Sequence, residues 1–562
     1  MGQGDGRTRN QSQTDGHDHG HDRGEDRVRR WESGALAHAV TDPFGLGPLP
    51  WLRGDETYFD DTGRMVPWYV DPLPPADGPD ASPSPATPSP ATPSPATPSA
   101  AESATAPAAG ARVPGPRARP AGDPRPAGRP RSGGAPRSAD DVGHQIKGFA
   151  STGSVVAGEA VDFHVSVDPP QEFGIDIYRV GHYDGAGAAK ITTSPRLSGM
   201  TQLPPLTADR TVSCHHWWLS WRMRVPSYWS PGAYVAVLTT VDGHRSHIPF
   251  TVRGDRPADL LLVLPDITWQ AYNLYPEDGR TGASLYHAWD ERGRLLGEAD
   301  AATTVSFDRP YAGAGLPLHV GHAYDVIRWA ERYGYDLAYA DARDLHTGQA
   351  DPARHRGVVF PGHDEYWSQP MRRAVEHARD QGTSLVFLSA NSLYWQVELG
   401  PSPSGAPGRL LTCRKRRGPG RPVLWREADR AEQQLLGIQY AGPVPAPHPL
   451  IVRNAGHWLW EATGAHEGDP IDGLVAGEAD RYFPRTALPP HEERTLLAHS
   501  PYTDADGVSR HQDTSLYRHP SGALVFASGT FAWSPALDRP GHVDARVQRA
   551  TANLLDRICK RD

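Results

Sequence analysis

Residues 360–391, FPGHDEYWSQPMRRAVEHARDQGTSLVFLSAN, place charged and aromatic side chains between an apolar run and a helical pattern. In an open α/β sheet, ligands bind beyond the carboxyl ends of the strands. Four successive apolar runs of this chain are followed by polar groups, namely Tyr272, Asp341, His363 with Glu365, and Asn391. Because parallel strands present their carboxyl ends at one edge of the sheet, we expect these groups to face one site.

The side chains at these predicted strand ends favour some chemistries over others. The turn Gly362-His363-Asp364-Glu365 contains neither Cys nor Ser, so a covalent nucleophile is not expected there. The sequence shows no G-x-S-x-G motif, no P-loop and no zincin pair of histidines. Tyr, Glu and Asn remain, together with His. The oxygen atoms of the first three suit hard cations, and phenolate suits ferric iron in particular.

Composition narrows the class of protein. A net charge of −9 over 562 residues argues against a dedicated nucleic-acid binder. Three cysteines, Cys214, Cys413 and Cys559, are too few and too far apart for a disulfide framework or a Cys-rich zinc site. No apolar run is long enough to span a membrane, and the first 30 residues contain no apolar core of a signal peptide. We therefore expect a cytoplasmic protein that binds neither membrane nor nucleic acid.

The chain divides by composition into five segments. Residues 1–30 are polar and predicted to be disordered, and residues 31–71 are aromatic-rich, as in a short docking segment. Residues 72–142 are rich in Pro, Ala, Thr, Ser and Arg, which predicts a disordered linker. Residues 143–254 alternate apolar and polar side chains with period two, which predicts an immunoglobulin-like antiparallel β-sandwich. Residues 255–562 are predicted to form an α/β domain that carries the candidate site.

The periodicity changes at the start of this last segment. Continuous apolar runs such as DLLLVLP alternate with helical patterns such as HAYDVIRWAERYG, which indicates parallel βαβ units. Ser368 as N-cap, Pro370 in the first turn and Gly382 at the end predict a helix between two strands. The predicted fold is an α/β domain with an open, mostly parallel sheet of the glutamine-amidotransferase-like type.

A set of motifs occurs in a characteristic order: TWQAYNLYPEDGRTGASLY, VSFDRPY, PGHDEYWS, SANSLYWQ, CRK, GEADR and GTFAW. Together they resemble the C-terminal domain of the N,N-dimethylformamidase large (beta) subunit family. The sandwich motif IDIYRVGHYDGAGA is similar to the middle domain of that family. The resemblance therefore covers roughly residues 150–562.

The resemblance implies a mononuclear ferric ion, Fe(III), held by two tyrosines and one glutamate. The implied ligands are Tyr272, Tyr286 and Glu365, with Tyr275 or Tyr311 as alternatives for the second tyrosine. The implied catalytic residues are His363 beside the glutamate, Asn391, Lys415 and Glu478. Family members carry an ordered β-rich N-terminal domain, which the composition of residues 72–142 does not match.

Two classes of function follow. The first is an iron-dependent amidohydrolase that acts on small linear amides, or on a larger amide or glycan-related compound, with a small companion subunit or a homo-oligomer as partner. The second is a non-catalytic ligand- or partner-binding protein built on a degenerate α/β domain. Stoichiometric iron separates them, because a binding module has no need of it.

Overall fold

The computed structural model describes residues 145–290, 292–415 and 424–560. It also describes two short antiparallel strands, Tyr58–Phe59 and Met65–Val66. The predicted disordered segments 1–30 and 72–142 lie outside these residues, as does the docking segment 31–71 apart from the two strands. Within the described ranges, no helix is long and apolar enough to cross a membrane.

Two sheets with a common apolar core form the first part of the described chain. The side chains of Ala160–Val167 alternate between buried and half-buried, and Phe163 packs in the same cluster as Ile175 and Ile177 of the other sheet. The smaller sheet consists of Trp221–Arg224, Ala160–Val167 and Ile146–Ala150. The larger sheet consists, in order, of Ser154–Val156, Arg245–Arg253, Gly232–Thr240, Glu172–Val180 and Ala188–Thr193, with Leu197–Ser198 paired to Glu172–Val180. A separate pair contains Leu206–Ala208 and Thr211–Ser213.

A seven-stranded sheet forms the centre of the second part. Its strands are β1 (Leu260–Leu264), β2 (Leu337–Asp341), β3 (Gly357–Phe360), β4 (Ser384–Phe387), β5 (Glu493–Thr503), β6 (Ser509–Arg518) and β7 (Leu524–Ala527). Their order is β2-β1-β3-β4-β7-β6-β5. Strands β2, β1, β3, β4 and β7 are mutually parallel, while β6 runs antiparallel to both β7 and β5. Strands β1, β3, β4 and β7 are buried throughout, as expected for parallel strands covered on both faces.

Helices connect and cover these strands. The helix after Ser368 begins there because the Ser368 hydroxyl accepts a hydrogen bond from the Met371 amide at 3.3 Å, and it ends before Gly382, whose φ is 101°. The helices are α1 (Asp266–Tyr272), α2 (Val320–Arg332), α3 (Ala342–Thr347), α4 (Gln369–Asp380), α5 (Gln433–Leu436), α6 (Pro535–Asp538) and α7 (Ala545–Cys559). Single 3-10 turns lie at Tyr183–Gly185, Glu298–Asp300, Pro352–Arg354, Trp425–Ala428, Trp458–Trp460 and Phe531–Trp533.

Smaller sheets flank the carboxyl edge of the parallel strands. One contains Thr304–Ser306, Leu410–Thr412, Trp395–Gly400 and Tyr366–Ser368, in that order. A long antiparallel pair joins Gln439–Ile451 to Pro470–Arg481, and a short one joins Ala288–Trp289 to Leu295–Leu296. These sheets bring residues distant in sequence to the same edge.

Buried polar contacts join the larger of the first two sheets to strand β2 and helix α3. The Thr251 hydroxyl donates to Asp341 Oδ1 at 2.5 Å, and Arg253 Nη1 forms a 2.6 Å ion pair with Asp344 Oδ1. Ser154 Oγ also donates to Asp344, at 2.5 Å. Because breaking a buried polar pair is costly, these contacts fix β2 and α3 against the larger of the first two sheets. The immunoglobulin-like and glutamine-amidotransferase-like types stay predictions.

Candidate active site

Glu365 lies in the turn that follows β3. The chain leaves the sheet at Pro361 and Gly362, and the Thr268 hydroxyl then accepts hydrogen bonds from the amides of Glu365 at 3.0 Å and Tyr366 at 3.2 Å. Thr268 belongs to α1, so the helix after β1 fixes the turn after β3. These hydrogen bonds fix the turn, and the Glu365 carboxylate is buried, with only 1% of the residue exposed.

Two tyrosines converge on this carboxylate. Tyr272 is the last residue of α1, and its hydroxyl donates to Glu365 Oε2 at 2.7 Å. Tyr286, from the irregular segment beyond it, donates to Glu365 Oε1 at 2.5 Å. The two hydroxyls are 3.3 Å apart and the rings stack with centroids separated by 4.6 Å. The structure therefore brings together the three predicted ligand residues.

The alternative tyrosines lie elsewhere. Tyr275 packs in a small apolar cluster with Phe149, Cys214 and Trp217. Tyr311 lines a separate cavity that also includes Asp341. Both tyrosines thus have other surroundings, and the geometry favours Tyr286 as the partner of Tyr272.

His363 connects this cluster to a second carboxylate. Its Nε2 lies 3.1 Å from the Tyr272 hydroxyl and 3.2 Å from Glu365 Oε2, and its Nδ1 lies 3.8 Å from Glu478 Oε2. The imidazole packs on Phe531, with ring centroids 4.5 Å apart. Gly477 makes room for this ring, since a Cβ there would lie 2.8 Å from Phe531 Cδ2. The imidazole thus contacts both carboxylates.

Asn391 follows β4 in a left-handed conformation, with φ of 55°. Asparagine tolerates this conformation better than most residues. Its amide N–H donates to Asp480 Oδ1 at 2.8 Å, and its side-chain Nδ2 donates to Glu478 Oε1 at 3.1 Å. Glu478 and Asp480 are two residues apart on one strand and so point to the same face. Asn391 therefore positions Glu478.

Lys415 reaches the site from the end of the strand Leu410–Thr412. Its Nζ lies 3.2 Å from the ring centroid of Tyr286 and 4.6 Å from that of Trp395. Its nearest paired carboxylate is Glu298, at 4.0 Å. The side chain is 6% exposed, so the ammonium lies in an aromatic enclosure beside the tyrosine pair.

Burial and neighbouring charges set the protonation of these groups. Burial lowers the pKa of Lys415, although the Glu365 charge opposes the change. Burial would raise the pKa of Glu365, but the hydrogen bond and charge of His363 hold it below its ordinary value. Burial would lower the pKa of His363, but Glu365 and Glu478 hold it above its ordinary value. The His363–Glu365 pair therefore favours the charged forms.

The second carboxylate is different. Burial raises the pKa of Glu478 to about 8, with the His363 charge opposing and the Glu365 charge adding to the increase. Burial also raises the pKa of Asp480 to about 7. Glu365 is therefore charged near neutral pH, whereas Glu478 holds its proton. Two carboxyls whose pKa values are separated in this way match the pattern of acid–base pairs in hydrolases.

The donor set fits a hard, highly charged cation. Burial, followed by the charge of Glu365, raises the pKa of both Tyr272 and Tyr286 well above the ordinary value. These phenols therefore stay protonated unless a cation replaces their protons. Two phenol oxygens and one carboxylate are hard oxygen ligands, and the set contains no thiolate. The residues present thus fit ferric iron.

The strand-end pattern predicted that Asp341 faces this site, but the structure places its carboxylate against Thr251 of the larger of the first two sheets. Asp480, Phe531 and the contact of Trp395 Nε1 with the Tyr286 hydroxyl at 3.3 Å were not predicted. Asp480 and Phe531 both occur in motifs that carried the family resemblance, GEADR and GTFAW, so the signal was present.

Comparison with known families identifies the chain. A family model described as N,N-dimethylformamidase beta subunit-like, C-terminal, matches residues 174–547, which is more than half of the chain. The protein therefore belongs to this family, and the resemblance drawn from the motifs is confirmed.

Two curated relatives are similar to part of the chain. The N,N-dimethylformamidase beta subunit of Alcaligenes sp is 25% identical over 284 residues, which cover 42% of this chain and 36% of that protein. The N,N-dimethylformamidase beta subunit of Paracoccus aminophilus gives the same values. The matched region thus spans little more than a third of the length of these relatives.

Among solved structures, a Pseudomonas fluorescens alkylpurine DNA glycosylase bound to DNA is 16% identical. The match covers 20% of this chain and 31% of that chain, with a TM-score of 0.13. A Paenibacillus cycloisomaltooligosaccharide glucanotransferase is 8% identical over 68% of this chain and 71% of that chain, with a TM-score of 0.15. At these scores neither likeness carries an argument about fold or function.

Proposed function

We propose that the protein is an iron-dependent hydrolase of small linear amides, which converts an amide and water into a carboxylate and an amine. The observation that carries this proposal is the convergence of the Tyr272, Tyr286 and Glu365 oxygens within 2.5–3.3 Å of one another. The two phenols and the carboxylate come from separate segments of the chain, and their hard oxygen atoms suit a ferric ion. The names of the relatives supply the reaction class.

Tyr272, Tyr286 and Glu365 would hold a single ferric ion. When bound, the ion supplies Lewis acidity toward the substrate carbonyl and toward water. His363 is not itself a proposed ligand but an outer partner of the ligands, because it hydrogen bonds both to Glu365 and to Tyr272. An outer partner of this kind orients a ligand and tunes its basicity.

Proton transfer is assigned to His363 and Glu478. Water must lose a proton as it attacks the carbonyl, and the amine must gain one as the C–N bond breaks. Glu478, with a pKa raised to about 8 by burial, exchanges a proton near neutral pH, where general acid–base catalysis is efficient. His363 lies between Glu478 and Glu365, so it can pass a proton within the cluster.

Stabilisation of the negative charge that develops on the carbonyl oxygen is assigned to Lys415. Its ammonium is buried against Tyr286 and Trp395, and within the described residues its Nζ has no hydrogen-bond partner. A buried cation in a site that excludes water stabilises a developing oxyanion far more than an exposed one does. Asn391 assists by holding Glu478 in place.

The site favours small substrates. His363, Glu365 and Asn391 are each about 2% exposed or less, so only a compact group can reach them. Linear formamides and acetamides meet this requirement better than larger amides do. A small companion subunit or a homo-oligomer is the proposed partner, since both relatives are named as beta subunits.

The proposal is tested with iron-loaded protein and a panel of amides that includes N,N-dimethylformamide. Release of amine and carboxylate should be saturable and should disappear in Glu365→Ala. The exposed Glu467→Ala variant, whose side chain is 58% exposed, is the matched control and should retain activity. Protein that binds iron but hydrolyses none of the small or larger amides would favour a non-catalytic binding role instead.

A further inference from the structure

Three potential metal ligands lie on one face of the β5–β6 hairpin, in a region that the proposed reaction does not use. His499 of β5 lies directly opposite Asp513 of β6 in the strand register. His511 precedes Asp513 by two residues, so its side chain projects from the same face. The hairpin therefore presents two imidazoles and a carboxylate together.

The donor atoms are close enough to share one ion. His499 Nδ1 lies 2.8 Å from Asp513 Oδ1, and His511 Nε2 lies 3.6 Å from Asp513 Oδ2. The ligand atoms of all three residues lie within 4.8 Å of one another. Tetrahedral zinc, with bonds of about 2.0 Å, needs ligand atoms about 3.3 Å apart, which is between the two measured separations.

The carboxylate is fixed in place before any ion arrives. Asp513 is 1% exposed, and its Oδ2 accepts a hydrogen bond from the Tyr482 amide at 2.9 Å. A ligating carboxylate held by an outer hydrogen bond is typical of protein metal sites. The imidazoles are more accessible, with 48% of the His499 side chain and 30% of the His511 side chain exposed, so an ion can enter from solvent.

The arrangement of the two imidazole rings favours a shared ion over a simple Asp–His hydrogen bond. Their centroids are 4.5 Å apart, and both rings face the same carboxylate. A single Asp–His hydrogen bond would need only one of them. Among the described residues, this is the group of three His, Cys, Asp or Glu side chains whose donor atoms meet the distance requirement for a shared ion.

We propose that His499, His511 and Asp513 form a second metal site that binds a divalent transition ion, with zinc as the preferred occupant. Imidazole nitrogens select zinc and related ions, whereas the phenol and carboxylate oxygens around Glu365 suit ferric iron, so the two sites differ in metal. Two ligands come from one strand and one from its neighbour. A bound ion therefore cross-links β5 to β6 and completes its coordination with water.

The experiment needs a background that removes competing histidines. Residues 17–22, HDHGHD, offer three imidazoles of their own, so His17, His19 and His21 are replaced by Ala in full-length protein. Zinc binding to this background is measured by titration calorimetry, and cobalt substitution reports the ligand field. His511→Ala and His499→Ala are then introduced separately. His466→Ala, at an 84% exposed side chain beside Asp469, is the matched control.

The background protein should bind zinc at this site and show a cobalt absorption band from nitrogen and oxygen ligands. Loss of an outer partner reduces metal affinity 10- to 100-fold, so loss of a direct ligand should reduce zinc affinity by at least about 100-fold in either variant. His466→Ala should bind like the background. Equal zinc affinity in the background and in both folded His variants would overturn the proposal, as would a background that binds no zinc.

The zinc site is independent of the proposed amidase. A Glu365→Ala variant should retain the zinc-dependent rise in melting temperature that a His511→Ala variant loses. If that rise disappears with Glu365→Ala and persists with His511→Ala, the ion lies in the phenol cluster, and the hairpin site is refuted.

Discussion

The Tyr286 hydroxyl donates a 2.5 Å hydrogen bond to Glu365 Oε1 across 79 residues of sequence. Tyr272 donates to the other oxygen of the same carboxylate. One buried carboxylate thus receives a phenol on each oxygen, and all three residues present oxygen to the same point. This relationship supports the proposed iron site, and it connects β1, through α1, to the turn after β3.

Asn391→Gly should reduce turnover by about 10²–10³, because it removes the amide that holds Glu478, and a positioned acid or base typically contributes about 10²–10⁴ in rate. Glycine is preferred to alanine here because Asn391 has a φ of 55°, where a Cβ is strained. Steady-state kinetics and thermal melting are compared with those of Asn454→Gly, a second left-handed asparagine with φ of 51°. Wild-type turnover in Asn391→Gly would remove this residue from the reaction.

Lys415→Met should lower kcat by a similar factor while the protein stays folded. Methionine retains an apolar stem against Tyr286 and Trp395 but removes the charge. The neighbouring Arg414, whose side chain is 60% exposed and paired with Glu398, provides the control Arg414→Met, which should behave as wild type. If both variants retain full kcat, the ammonium has no role in stabilising the oxyanion.

His247 should make the fold sensitive to acid. Burial lowers its pKa to about 4, below the ordinary value of 6.5, and its Nδ1 hydrogen bonds to the Ala314 carbonyl at 2.8 Å. Between pH 6.5 and pH 4, His247 binds a proton in the unfolded chain but stays neutral in the folded chain. The stabilisation is therefore present above pH 6.5 and is lost as the pH falls toward 4, by up to about 3 kcal/mol.

His247→Asn tests this directly, because the asparagine amide can still donate to Ala314 but does not titrate. Denaturant unfolding at several pH values between 7 and 4 should give a shallower loss of stability in the variant. Parallel stability curves for the two proteins would show that His247 does not carry the acid sensitivity.

Much of the parallel sheet was predictable from local pattern. The run DLLLVLP contains β1 (Leu260–Leu264), and RGVVF contains β3 (Gly357–Phe360), because strands covered on both faces must be apolar throughout. The helix after Ser368 was marked by its own cap. The antiparallel hairpin β5–β6 was not predicted, since its exposed positions break the apolar run.

The site was predictable only in part, for a physical reason. The strand-end rule grouped Glu365 with Asn391, and the structure links the two through His363 and Glu478, because β3 and β4 are neighbours in the sheet. The rule also selected Asp341, which belongs to the edge strand β2 and contacts Thr251 instead. The rule gives the edge of the sheet but not the order of strands. Glu478 lies on a flanking sheet and Lys415 lies just beyond a strand of another, and both were reached only through the family motifs.

The most direct test of the iron site is the iron content and visible spectrum of full-length protein expressed with ample iron. We expect close to one iron per chain and a coloured protein, since phenolate bound to ferric iron absorbs visible light. Tyr286→Phe should lose much of this absorption because it deletes the donor oxygen and keeps the stacked ring. Tyr311→Phe, at the alternative tyrosine, should leave it unchanged. A folded, colourless, iron-free protein would contradict the account, as would a band that persists in Tyr286→Phe and disappears in Tyr311→Phe.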